Sequence, residues 1–195
     1  RFLMLILLII NAFFSDEKAL ISLNRMSEIT LTINGTGNQS ILGDDFIFLP
    51  NEILVNRSPY YPIRRYIENL LQEKNTIIMR WSMSVYDCSY MFANRVNIIE
   101  MDLRNFDASK VMFMDDMFSG CSSLISINLS NINTPNLISI KNMFKGCSSL
   151  SSIDLSNFIT DQLTDNGKLF YGCSNLSYID ISSFNSKLKL NDLFD

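Results

Sequence analysis

Apolar positions in the second half of the chain recur with a fixed spacing. Met91-Phe92, Met117-Phe118, Met143-Phe144 and Leu169-Phe170 open similar phrases, each 26 residues after the last. Leu193-Phe194 opens another after 24 residues, and the chain stops there, which reads as a truncated repeat array. Aligned on this period, the apolar residues form columns. One holds Phe92, Phe118, Phe144 and Phe170; another holds Ile98, Leu124, Leu150 and Leu176. Further columns are Met101/Ile127/Ile153/Ile179, Leu103/Leu129/Leu155/Ile181 and Phe106/Ile132/Phe158/Phe184. Such columns arise when each unit leaves an apolar edge that only its neighbours can cover.

Within a unit, "LISINLS" (124–130) sets Ile127 and Leu129 two apart, on one face of a strand. "NLISIKNMFKGC" (136–147) has apolar residues at 137, 140, 143 and 144, near helical spacing, and ends at Gly146. "SNINTP" between them is turn-forming. The pattern predicts an α/β repeat: a leucine-rich-repeat-type solenoid with a parallel strand and a short helix in each 26-residue unit.

Residues 16–90 do not repeat. Ile29, Leu31 and Ile33 alternate across a predicted strand that turns at 34–37, and "DFIFLPNEILVN" predicts two short strands broken by Pro50. "YPIRRYIENLLQEKN" predicts a helix after Pro62, and "NTIIMRWS" a further strand. The first residues, "RFLMLILLIINAFF", have the length of a signal-peptide apolar core; the competing reading is a buried strand or helix. The expected organisation is a signal peptide over 1–15, a small β-rich N-terminal cap over 16–87, and the solenoid, about four units, over 88–195.

Composition narrows the function. The chain has 195 residues, is 47% hydrophobic and carries 16 basic against 20 acidic residues, a net charge of -4. That balance lacks the basic footprint of a nucleic-acid binder and argues against direct attachment to anionic membranes, so a membrane would be reached only through an anchor. There is no histidine, which removes Ser-His-Asp and Cys-His catalysis and His-ligated metals. An enzyme would need Asp/Glu, Lys or Tyr chemistry, such as glycoside hydrolysis, and no carboxylate pair stands out from the repeat. No catalytic residue, cofactor or metal is expected.

Cys121, Cys147 and Cys173 share a column, while Cys88 aligns with Met114 and Ile140. Stacked side chains point the same way, whereas a disulfide brings the Cβ atoms to about 3.8 Å, so free buried thiols are expected. Asp102, Asn128, Asp154 and Asp180 form a polar strand column beside Glu100, Ser126, Ser152 and Tyr178. The acidic ladder could take calcium or a cationic partner, but no Gly-spaced calcium loop accompanies it, and a solvated face is the simpler reading. Asn105, Asn131 and Asn157 are expected to bond the turn backbones of adjacent units. Asn34, Asn38, Asn128 and Asn175 match the glycosylation acceptor pattern.

"MFSGCSSLISINLSNINTPNLISIKNMF" and "MFKGCSSLSSIDLSNFIT" resemble the BspA-like leucine-rich-repeat surface proteins, whose repeat recurs in bacterial lipoproteins and protozoan surface antigens. The resemblance covers about residues 88–195; Arg95 stands where later units have Cys, and Pro135 and Gly167 interrupt the segment after the strand. It implies a secreted or surface-displayed protein engaged in adhesion, with no catalytic residues to carry over. The expectation is therefore a non-enzymatic module, extracellular or at the cell surface, binding protein or glycan partners through the eight strand-face residues from Glu100 to Asp180 named above. The alternative is a spacer that displays another domain.

Overall fold

A computed structural model describes residues 26–185 and 190–194. The expected signal peptide over 1–15 lies outside the described residues. The first strand, β1 (Ser27–Asn34), alternates as its sequence demands, with Ile29, Leu31 and Ile33 fully buried. It is followed by β2 (Gly37–Ser40), β3 (Glu52–Val55), β4 (Ser58–Pro59), β5 (Tyr66–Leu70) and β6 (Lys74–Trp81). The repeat region contributes β7 (Ile98–Asn105), β8 (Ser126–Asn128), β9 (Ser152–Asp154) and β10 (Tyr178–Asp180).

β1 joins the two regions. It runs antiparallel to β6 on one side and to β7 on the other, in a six-stranded sheet of order β4-β3-β6-β1-β7-β8. β9 and β10 form a separate two-stranded parallel sheet, as β2 and β5 form an antiparallel one. Arg95, the departure in the first unit, ties the regions further. Its guanidinium donates to the Ser40 hydroxyl and lies 3.5 Å from the Asp44 carboxylate.

Three expectations are corrected. The segment after Pro62 is not a helix: Tyr66–Leu70 is β5. Leu71, needed for the helical stripe, is 92% exposed, whereas Ile67 and Leu70 are buried. Only one of the two strands expected around Pro50 forms, Glu52–Val55. The third correction concerns fold class. The chain is not an α/β leucine-rich-repeat-type solenoid with a helix in each unit; it is β-rich, and the one helical element among the described residues is a 3-10 turn, Leu190–Leu193.

The physical reason lies in backbone sign and donor direction. Each expected helix contains two residues with positive φ, four apart: Asp116 (53°) with Gly120 (74°), and Asn142 (56°) with Gly146 (74°). A left-handed residue inside a helix breaks it. The amides that a helix would use internally instead point to the next unit. Met114, Asp116, Phe118 and Gly120 N–H donate to the carbonyls of Ser139, Lys141, Met143 and Lys145. The units are thus successions of tight turns laid in register, with parallel bridges Asp87–Phe113–Ser139–Asp165 along one side.

The core follows the columns. Phe92, Phe118, Phe144 and Phe170 are buried and stack, with ring centroids 5.7, 5.2 and 6.0 Å apart, and Phe194 continues the stack at 5.8 Å. Leu124, Leu150, Leu155 and Phe158 are buried alongside.

Candidate functional site

The strand-face residues come together in two pairs of strands. β7 and β8 set Glu100 beside Ser126 and Asp102 beside Asn128. β9 and β10 set Ser152 beside Tyr178 and Asp154 beside Asp180. The β8 and β9 strands belong to different sheets, so the face is divided into two halves.

The two columns differ chemically. Asp102, Asn128, Asp154 and Asp180 each accept, through Oδ1, the backbone N–H two residues ahead, at 3.0, 3.1, 2.9 and 2.9 Å. These are Asx-type bonds, which in β8, β9 and β10 close the bend where the strand ends and in β7 lie inside the strand. Asp102 also takes two nitrogens of Arg104, the shorter contact being 2.7 Å; that guanidinium holds its carboxyl below the usual carboxylate range. This column is therefore half consumed by the fold. In the other column Ser126, Ser152 and Tyr178 are exposed, and among the described residues their side chains make no hydrogen bond. Glu100 has an exposed ion pair with Lys74 at 3.7 Å, of the kind that contributes little. Three unoccupied hydroxyls and one weakly held carboxylate leave this column open to a partner.

The bonds expected of the Asn column belong elsewhere. The side chains of Asn105, Asn131 and Asn157 are exposed and make no hydrogen bond among the described residues. Thr134 and Thr160, three positions further along, are buried instead. Thr134 Oγ1 accepts the Ile159 N–H at 3.0 Å. Thr160 Oγ1 accepts the Asn185 N–H at 3.0 Å and donates to the Ser183 carbonyl at 2.9 Å.

Among the described residues all four cysteines are free thiols, and Cys88, Cys121 and Cys147 are buried. Cys121, Cys147 and Cys173 Sγ donate to the carbonyls of Phe92, Phe118 and Phe144, at 3.1, 3.2 and 3.0 Å. Burial pushes the Cys121 thiol up to about 12 and the Cys173 thiol to about 11, which keeps both protonated and unreactive near neutrality. The thiols pack and bond; they are not placed as nucleophiles. Asp115 is raised by burial, against hydrogen bonds from Ser139 and the Lys141 N–H. Among the described residues no group of three or more acidic or thiol side chains is arranged to hold a metal ion. No helix there is long and apolar enough to cross a membrane.

Residues 69–194 match the family described as "Mycoplasma protein of unknown function, DUF285". The match spans well over half of the chain and the whole repeat region, so the chain belongs to that family, rather than being placed by any match to a BspA-like one. No curated protein and no solved structure matches it.

Proposed function

We propose that this chain is a non-enzymatic interaction module, displayed at the cell surface or secreted, that holds a protein or glycan partner on the strand face. One observation carries the reading: Ser126, Ser152 and Tyr178, equivalent by the 26-residue period, are all exposed on strands with their hydroxyls unbonded among the described residues. Contacts repeated along a partner add by multivalency, so weak single bonds suffice. The resemblance of the "MFSGCSSL" and "MFKGCSSL" phrases to BspA-like surface proteins supports the location. Partners other than nucleic acid fit the net charge of -4.

The test is adhesion. The triple change Ser126→Ala, Ser152→Ala and Tyr178→Ala should lower binding of the chain to cells or matrix by tenfold or more while its melting curve holds. Unchanged adhesion would remove this face as the binding surface. A spacer is the second reading, favoured by the Asx-type bonds that already occupy Asp102, Asn128, Asp154 and Asp180. A spacer would tolerate the triple change and respond to the loss of a 26-residue unit instead.

A further inference from the structure

A second surface feature lies off the strand face, where β1 begins and β7 ends. An open cleft of about 810 Å³ lies between the start of β1 and the turns of the first two units. That volume is in the range of ligand sites. Its walls carry an unusual share of uncommitted amide. Asn105, Asn131 and Asn133 line it, all exposed and all with side chains that make no hydrogen bond among the described residues. The Ser109 hydroxyl joins them, with its backbone N–H already held by Asp107 Oδ1 at 3.0 Å.

The charged groups of the cleft are largely paired. Arg104 is engaged by Asp102, and Glu28 accepts from Arg80 Nε at 2.7 Å. Asp107 keeps one carboxylate oxygen free of any bond to the described residues. With Arg104 held by Asp102 and Glu28 by Arg80, the free Asp107 oxygen is the one charged group the cleft offers among the described residues, and it opposes an anionic ligand. Carboxamides both donate and accept, a hydroxyl does the same, and a carboxylate oxygen accepts. That set matches a ligand made of neutral hydroxyls. Phe106 lies in the floor but is only 3% exposed, so little ring face is offered for stacking.

We propose that this cleft binds a neutral carbohydrate, through Asn105, Asn131, Asn133, Ser109 and Asp107. The proposal does not depend on the strand face. None of Ser126, Ser152 and Tyr178 lines the cleft.

The test uses the full chain on an array of neutral oligosaccharides ending in glucose, galactose or N-acetylglucosamine, with sulfated and sialylated glycans beside them. Retention of at least one neutral glycan is expected. Asn131→Ala with Asn133→Ala should weaken it tenfold or more, and Ser109→Ala severalfold, with unchanged melting because the two Asn side chains are exposed. Asn157→Ala, in the same repeat column as Asn131 but outside the cleft, should bind as the parent does. Binding of charged glycans alone, or of none, would overturn the proposal. So would equal losses in the Asn157 variant, or full binding by the double variant.

Discussion

At the scale of single residues, the repeat places two kinds of polar column side by side, and only contact geometry tells them apart. Asn131 and Asn157 have the short amide side chains that bond backbones in turns, yet they face solvent. Thr134 and Thr160 are buried and bridge to the next unit. A buried donor or acceptor left without its partner costs about 1–3 kcal/mol. Thr160→Val is therefore expected to destabilise the chain by about 2 kcal/mol, while Asn157→Ala stays within about 0.5 kcal/mol. Urea unfolding of the two variants checks this; equal effects would return the bonding role to the Asn column. Thr134 and Thr160 stand one period apart, with Ala108 before them, but that spacing did not single them out, and Thr by itself does not announce burial. The Asx-type bonds left a clearer trace. Asp or Asn in register, followed two residues later by Ser in three of four units, is a local turn signal.

At the scale of the element, the sequence marked the long alternating strands, but it read β5 as a helix and misdirected the reading of the segments between the repeat strands. Alternation in "SEITLTIN" and "KNTIIMRW" appears directly as β1 and β6. Spacing of 3 and 4 in "NLISIKNMF" counts apolar residues on a helix equally well as apolar corners of successive turns. What separates the two is backbone sign, and the clue was the Asn and Gly pair four apart at Asn142 and Gly146. Both residue types tolerate positive φ. Burial of the columns survives this correction in most positions, with Ile127 and the fourth-unit residues Leu176, Ile179, Ile181 and Phe184 half-buried, because it depends on the period and not on the element. Leu150 is fully buried between units, so Leu150→Ala should cost about 2–5 kcal/mol in chemical unfolding. No loss would mean that the units do not pack through that column. Stacked, nearly parallel rings from Phe92 to Phe170 predict the same sensitivity along the neighbouring column.

At the scale of the whole molecule, β1 is the piece that makes one body of two sequence regions. Residues 27–34 pair with β6 from the non-repeating part and with β7 from the first unit. Arg95 adds the Ser40 and Asp44 contacts where later units carry Cys121, Cys147 and Cys173. The substitution marked the first unit as different in the sequence, but its long-range partners were not readable from spacing. The strand-face residues were found by column alignment, and register then paired them. Alignment could not show that β8 and β9 part into separate sheets. The cleft beside β1 was not legible at all, since it forms between segments about 80 residues apart, as in the bond from the Asp107 N–H to the Ser27 hydroxyl.

The central claim is that these units work outside the cell as an interaction surface. The most direct measurement is labelling of intact expressing cells with an antibody raised to residues 91–185, before and after mild protease. The account predicts labelling on unpermeabilised cells that protease removes. Labelling that appears only after permeabilisation, with the protein intact throughout, would contradict it.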